Sequence, residues 1–214
     1  MSNIVHDYID DYIEATHREN EPFFKELRAF AEENHIYIVK PQVEQFLKTF
    51  LSVLRPKEIL EVGTAIGYSA MLMLSCSPDA HITTIERDET VLSMAKENTA
   101  RRGVESRVRC IFGDADEVLE HLSGTYDFAF LDAAKGQYRA HFDQVVSKMK
   151  PGGVIITDDV LYMGMTATDD LAKKKHMTIT RRLRQFLTYI CEDPRFETSI
   201  LPIGDGVAIT YIKQ

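Results

Sequence analysis

Three aspartates and a lysine in the second half of the chain have the residue types and spacing of a metal-dependent reaction centre. Asp132 follows the apolar run 126–131, and Asp158 and Asp159 follow the apolar run 154–157. If these runs are neighbouring parallel strands, their three carboxylates meet and repel one another unless a cation neutralises them. Oxygen ligands select hard ions, so the set predicts Mg²⁺, with Ca²⁺ or Mn²⁺ as alternatives. Solvated loop acids are the other interpretation.

Lys135 follows Asp132 by three residues and is a candidate general base. The like charge of a bound cation would lower the pKa of this lysine, and the neutral amine could then accept a proton. The alternative is that Lys135 only offsets the charge of the aspartates.

A glycine-containing turn forms a second pattern, with the sequence Glu61-Val62-Gly63-Thr64-Ala65-Ile66-Gly67-Tyr68-Ser69 between a predicted strand and a predicted helix. The two glycines allow the backbone to approach a ligand closely. Their spacing differs from the Gly-x-Gly-x-x-Gly of a pyrophosphate site, and Glu61 would repel a phosphate. The turn therefore predicts a nucleoside ligand with a cationic or amino-acid part, a description that S-adenosylmethionine fits.

Two further acids follow predicted strands. Glu86 ends the run 81–86, where a carboxylate can accept hydrogen bonds from ribose hydroxyls, and Asp114 follows the run 108–112, where it can meet an adenine edge. Each acid has a structural alternative, since acids also cap helices, and Asp114 could be an N-cap.

The elements that must position these residues alternate along the chain. Residues 3–55 have helical spacing with a break at 37–41, and short apolar runs then alternate with helical segments, which predicts a parallel sheet covered on both faces. The run Pro151-Gly152-Gly153 is predicted to stop a helix at about 137–149. Two final runs, 198–203 and 207–212, flank Gly204-Asp205-Gly206 and predict a hairpin with an antiparallel last strand. The fold class is therefore α/β with seven strands.

Composition limits the class of protein. A chain of 214 residues with 44% hydrophobic residues suits one domain, here a helical extension (1–55) and a core (56–214). The net charge of −8 argues against unspecific adhesion to nucleic acid or membrane. Three cysteines without a Cys-x-x-Cys pair argue against a disulfide framework or zinc site. The N-terminus has no signal-peptide pattern and no apolar run spans a bilayer, so we expect a cytoplasmic protein.

A basic segment follows the fifth predicted strand and should border the mouth of the site. Its cations could follow the phosphates of an RNA, or form a solvated helix face, which the net charge favours. They are Lys173, Lys174, Lys175, Arg181, Arg182 and Arg184. Tyr162, Met163 and Met165 lie beyond the aspartates and could enclose a flat ring or belong to the core.

Four ordered motifs resemble those of the class I, metal-dependent O-methyltransferases, which include catechol and caffeoyl-CoA O-methyltransferases. The motifs are the turn 61–69, Leu131-Asp132-x-x-Lys135, Thr157-Asp158-Asp159-Val160-Leu161 and Gly204-Asp205-Gly206. Within that family, the strings GTAIGYSA, DAAKGQY, GVIITDDVL and PIGDGVAI are similar to bacterial enzymes that make 5-methoxyuridine from 5-hydroxyuridine at the tRNA wobble position.

The resemblance implies a Rossmann-like methyltransferase fold and a role for each matching position. The implied S-adenosylmethionine contacts are Val39, Glu61, Gly63, Ser69, Glu86, Asp114, Ala115 and Asp132. The implied metal ligands are Asp132, Asp158 and Asp159, the implied general base is Lys135, and the candidate acceptor contacts are Asp205 and the basic residues 173–175, 181 and 182. The third ligand is usually Asn in the family, so Asp159 adds negative charge to the site.

The expected function is methylation of 5-hydroxyuridine in tRNA, which makes tRNA the expected partner. The alternatives are O-methylation of a small catechol-like phenol, a nicotinamide-dependent oxidoreductase, and a binding protein without catalysis. The missing third glycine and the three aspartates argue against the oxidoreductase, and the intact aspartate and lysine set argues against the binding protein. The apolar faces of the N-terminal helices predict a homodimer.

Overall fold

A seven-stranded sheet lies at the centre of the computed structural model, which describes residues 4–18, 20–172 and 174–213. The strand order is β3-β2-β1-β4-β5-β7-β6. The strands are β1 (Glu58–Val62), β2 (His81–Glu86), β3 (Val108–Phe112), β4 (Tyr126–Leu131), β5 (Met149–Thr157), β6 (Phe196–Leu201) and β7 (Val207–Ile212). The helices of the described residues are α1 (Asp7–Thr16), α2 (Pro22–Glu33), α3 (Pro41–Leu54), α4 (Tyr68–Cys76), α5 (Glu89–Arg102), α6 (Ala115–His121), α7 (Tyr138–Val146) and α8 (Met177–Glu192).

The register of the central parallel strands brings their carboxyl ends to one level. Val62 of β1 pairs with Leu131 of β4, and Leu131 pairs with Thr157 of β5. Ladder hydrogen bonds continue one residue further, since the Asp132 amide donates to Val62 and the Asp158 amide donates to Leu131, each at 2.9 Å. Residues that directly follow these strands are therefore neighbours at one edge of the sheet.

Helices cover both faces of the sheet because the central strands are apolar on both sides. Ile59 and Phe128 belong to a core that includes Leu47 of α3, whereas Leu60 belongs to a second core that includes Phe142 of α7. The predicted α/β class, seven strands and helical N-terminal extension are confirmed, and β7 is antiparallel to both β5 and β6. Among the described residues, no helix combines the length and apolar character that crossing a membrane requires.

Two boundary predictions were wrong, and one of them is the strand expected at 198–203, which is β6 and spans Phe196–Leu201. The helix expected at about 137–149 is α7 and ends at Val146, and Pro151-Gly152-Gly153 lies inside β5 rather than between a helix and a strand. The pairing of β4 with β5 passes from Tyr126–Met149 directly to Phe128–Val154. This bulge removes several residues of β5 from the regular ladder, so a proline without an amide hydrogen is tolerated there.

The turn between β6 and β7 holds the segment that follows β5. The amides of Val160 and Leu161 donate to the carbonyls of Gly206 and Asp205, each at 2.9 Å. Gly206 has a φ of +89°, and a Cβ there would lie 2.3 Å from Cγ of Leu161. Glycine is therefore required for both its backbone conformation and its contact with Leu161.

We expect Gly206→Ala to lower the free energy of unfolding more than Gly103→Ala does. Both positions have positive φ, which costs about 1–2 kcal/mol for alanine, but a Cβ at Gly103 meets no atom within 4 Å. The added clash at position 206 should cost a further ~1–3 kcal/mol. Urea denaturation of the two variants measures the difference in the free energy of unfolding. Equal losses in the two variants would show that a Cβ at position 206 does not clash with Leu161.

Candidate active site

Two adjoining cavities open at the carboxyl edge of the parallel strands. The first, of about 450 Å³, is lined by residues that include Glu86, Asp114 and Ala115. The second, of about 590 Å³, is lined by residues that include Lys135 and the three predicted metal ligands. Gly63 and Asp132 line both cavities, which therefore form one cleft of a size that suits a small-molecule ligand.

The Gly63 turn is shaped by the chain's own backbone. Gly63 has a φ of +104°, and a Cβ there would lie 2.0 Å from the carbonyl oxygen of Asp132. The Gly63 amide donates to the carbonyl of Ile85 at 3.0 Å, which ties the turn to β2 as well. The close approach predicted for a ligand is therefore also a close approach between the ends of β1 and β4, which spacing along the sequence could not reveal.

Glu61 lies behind the cleft and lines neither cavity. It is completely buried and accepts hydrogen bonds from the hydroxyls of Ser69 and Thr84, each at 2.5 Å. Burial raises the pKa of Glu61 to about 8, against the opposing effect of the two hydroxyls. Its position supports Ser69, which lines the second cavity, and gives it no direct access to a ligand.

Glu86 and Asp114 line the first cavity, as their places after β2 and β3 predict. One oxygen of Glu86 accepts from the Ala65 amide at 3.0 Å, so this carboxylate also holds the glycine turn. Asp114 is the N-cap of α6 and accepts from the Asp116 amide at 3.0 Å. The N-cap interpretation of Asp114 is thus confirmed, while its side chain still borders the cavity.

The three predicted metal ligands border the second cavity, where burial and mutual repulsion disturb their ionisation. Burial, followed by the charge of Asp159, raises the pKa of Asp132 to about 6. Burial, followed by the charges of Asp132 and Asp159, raises the pKa of Asp158 well above its usual range. Among the described residues, no group of three His, Cys, Asp or Glu side chains is arranged to hold a metal ion.

One of the three carboxylates, that of Asp159, is engaged in an ion pair. The Lys135 ammonium lies 2.6 Å from Oδ2 of Asp159 and neutralises one of the three charges. Burial lowers the pKa of Lys135, but the charge of Asp159 and its neighbours outweighs it, and the pKa is raised overall. In this arrangement Lys135 is a charged partner of the acids. This agrees with the alternative interpretation of the sequence, in which Lys135 offsets the charge of the aspartates.

The loop after β5 forms the outer side of the second cavity in a strained backbone conformation. Asp159, Tyr162 and Met163 have φ values of +58°, +47° and +55°, which are rare for side chains of this size. The Met163 amide donates to Oδ1 of Asp205 at 2.7 Å, and Arg184 donates to the carbonyl of Thr166 at 2.8 Å. These contacts hold the strained loop in place.

The predicted flat-ring enclosure is only partly present. Tyr162 and Met163 line the second cavity, whereas Met165 is buried and does not line it. Asp205 lines the same cavity, and the Met163 amide occupies one of its oxygens.

The predicted basic residues that the structure describes do not line the cleft. Lys173 lies outside the described residues, and the exposed side chains of Lys174, Lys175, Arg181 and Arg182 line neither cavity. Arg182 donates to the carbonyl of Gly136 at 3.0 Å, next to Lys135. Arg184 donates to the carbonyls of Thr166 and Met165 in the loop after β5 and forms an ion pair with Asp169 at 2.5 Å. The segment is therefore partly structural.

Several lining residues had no sequence signal. Tyr37 borders both cavities with 95% of its surface exposed, and it belongs to a segment without a motif. His141 borders the first cavity from α7, where burial lowers its pKa and favours the neutral ring. Only the packing of α7 against β4 brings His141 to the cleft, so no spacing rule could have found it.

Comparisons with known proteins agree with this arrangement. The sequence pattern of the O-methyltransferase family matches residues 14–213. A caffeoyl-CoA O-methyltransferase from Stellaria longipes is 32% identical, with 100% of this chain and 91% of the relative covered. A flavonoid 3',5'-methyltransferase from Vitis vinifera is 30% identical, with 90% of this chain and 87% of the relative covered.

Solved structures give the same family. The Podospora anserina methyltransferase PaMTH1, in its SAH-bound form, superposes with a TM-score of 0.88 at 25% identity and covers 97% of this chain and 95% of its own. A Staphylococcus aureus structure, provisionally assigned as a caffeoyl-CoA O-methyltransferase, has a TM-score of 0.85 at 35% identity, with 96% and 97% covered. The predicted enzyme class is thus confirmed, and the chain belongs to the O-methyltransferase family.

Proposed function

We propose that this protein transfers the methyl group of S-adenosylmethionine to a ring hydroxyl, with a divalent cation as a second cofactor. The observation that carries the proposal is the shared position of Asp132. It joins a cavity bordered by Glu86 and Asp114, suited to a nucleoside, to a cavity bordered by Asp158 and Lys135, suited to proton removal. The likeness to an SAH-bound methyltransferase supports the choice of cofactor.

The cofactor would extend across both cavities. Glu86 would accept from the ribose hydroxyls, and Asp114 and Ala115 would border the adenine. The amino-acid half would lie near Val39 and Ser69, which line the second cavity. The sulfonium methyl would then face the acids and Lys135.

The oxygen donors suit a hard divalent cation by their chemistry, although the described side chains are not gathered around one. Two of its members, Asp132 and Asp158, have raised pKa values because like charges are buried together, and a cation would remove that penalty. Asp132, Asp158 and Asp159 would hold the ion after Asp159 exchanges its ion pair with Lys135. The chemistry that such an ion would supply is a lower pKa of the acceptor hydroxyl.

Lys135 would supply the proton transfer. With a cation offsetting the charges of Asp159, Asp132 and Asp158, the pKa of Lys135 would fall, and its neutral amine could accept the proton of the acceptor hydroxyl. The acceptor oxygen then forms a bond to the methyl carbon while the carbon–sulfur bond breaks, which leaves S-adenosylhomocysteine. The methyl carries little developing charge, so correct placement of the two reactants supplies much of the rate.

For the acceptor, we propose 5-hydroxyuridine in tRNA, with a small phenol as the second candidate. An open cleft mouth supports the larger substrate: Tyr37 is 95% and Met163 is 49% exposed, and the exposed Lys40 lies at the rim. The names of the plant relatives favour the phenol. A uracil and a phenol are both flat rings that could lie beside Tyr162.

Homodimer formation, a cytoplasmic location and a single domain remain predictions. Tyr8 and Tyr12 of α1 are 70% and 71% exposed, and α1 contains no buried residue, which supports a partner surface on this helix.

We expect transfer of labelled methyl to tRNA carrying 5-hydroxyuridine in Mg²⁺ and none in EDTA, because the acids need a cation to act together. A catechol tested in parallel under both conditions is the control. Label in the catechol alone would keep the chemistry and replace the acceptor. Turnover that persists in EDTA would remove the metal from the proposal.

Lys135→Met should lower kcat by about 10²–10⁴-fold, since it removes the proposed general base. The affinity for S-adenosylmethionine, measured by calorimetry, should change little. Lys96→Met is the matched control, because Lys96 is an exposed lysine of α5 that lines neither cavity and should be dispensable for the chemical step. Unchanged turnover in the Lys135 variant would rule out its role as the base.

A further inference from the structure

A buried charge network lies behind the cleft, between the N-terminal helices and α4. The Glu44 side chain is only 3% exposed and forms ion pairs with Arg28 and Lys48, each at 2.7 Å. The hydroxyl of Tyr68 donates to the same carboxylate at 2.6 Å. A buried carboxylate is tolerated only with such partners. Burial would raise the pKa of Glu44, but these partners outweigh it and lower the pKa.

Arg28 extends this network to the cleft. Its guanidinium donates to the backbone carbonyl of Val39 at 2.9 Å and to Glu44 at 2.7 Å, and it lies over the ring of Tyr68 at 4.9 Å. Val39 is 3% exposed and, like Tyr68, lines the second cavity. Arg28 itself lines neither cavity.

Residues 35–40, which we name the wall segment, border both cavities without forming a helix or a strand. His35, Ile36 and Tyr37 line the first cavity, and residues 37–40 line the second. At its start, the Ile36 amide donates to the carbonyl of Ala31 in α2, at 2.8 Å. Near its end, Arg28 of the same helix holds the Val39 carbonyl. Helix α2 therefore fixes the wall segment at both ends.

We propose that Arg28 is a positioning residue that sets the affinity for the methyl donor by fixing the Val39 carbonyl in the wall segment. This inference rests on the proposed use of S-adenosylmethionine. Without Arg28, the buried Val39 carbonyl loses a charged donor, and the wall segment is free to move away from the cleft. Arg28 is not among the described hydrogen-bond and ion-pair partners of Lys135 and Asp158, which keep their contacts. The loss therefore falls on cofactor binding and leaves the chemical step intact.

Lys48 provides a matched control within the same network. It pairs with the same carboxylate at the same distance as Arg28, and it also hydrogen-bonds to the Asn20 side chain. Lys48 lines neither cavity and has no contact with Val39 among its described hydrogen bonds and ion pairs. Lys48→Met therefore removes one partner of Glu44 without touching the wall segment.

The test compares Arg28→Met, Arg28→Lys and Lys48→Met in the full chain. Calorimetry gives the Kd of S-adenosylmethionine, steady-state assays give KM and kcat, and urea denaturation gives stability. We expect Arg28→Met to raise Kd and KM about tenfold with kcat at saturation retained, the size of one lost charged hydrogen bond. Lys48→Met should leave Kd unchanged. Arg28→Lys keeps one charge without the forked donor geometry and should be intermediate.

Equal Kd values for Arg28→Met and Lys48→Met, with tight binding by the unaltered protein, would overturn this inference and leave the proposed function in place. No binding by the unaltered protein would overturn both. If Arg28→Met does not fold, Arg28→Lys decides: a Kd equal to that of the unaltered protein contradicts the inference, and a weaker affinity supports it.

Discussion

Repulsion among buried carboxylates at one edge of the sheet is the constraint on which the site depends. The register pairs Val62 with Leu131 and Leu131 with Thr157. The residues that directly follow these three strands are therefore neighbours. Asp158 is buried there and Asp132 is half-buried. Burial raises the pKa of both, the charge of Asp159 adds to both, and the charge of Asp132 raises that of Asp158 further. Lys135 relieves part of this repulsion through Asp159. The sheet thus brings together carboxylates whose mutual repulsion a bound cation would reduce.

Contacts on neighbouring elements hold two loops beside the aspartates. On one side, the loop after β5 contains consecutive left-handed residues and is fixed by Asp205 and Arg184. On the other side, the wall segment is fixed by α2 through Arg28. Strained backbone persists where neighbouring contacts determine it, and such positions are common at functional sites. The cleft is therefore shaped by contacts that lie outside it.

Much of this arrangement could be predicted from the sequence because it follows from local patterns. Apolar runs marked the strands, and residues directly after those runs, such as Glu86 and Asp132, had to lie at the carboxyl edge. Predictions failed where tertiary contacts decide. Pro151 is tolerated in a strand because the bulge there requires no amide donor, and Glu61 is tolerated as a buried carboxyl because Ser69 and Thr84 donate to it. No sequence pattern indicated a role for Arg28, because its contact with Val39 is formed only in the folded chain.

The most direct test of the electrostatic account is calorimetric titration of Mg²⁺ into the unaltered protein and into Asp158→Asn, each with S-adenosylmethionine present. The account predicts Mg²⁺ binding by the unaltered protein and its loss in the variant. It also predicts that Asp158→Asn is at least as stable as the unaltered protein without Mg²⁺, because the substitution removes a repelling charge. Equal Mg²⁺ affinity in the two proteins, or none in either, would contradict the claim that these aspartates form a cation site.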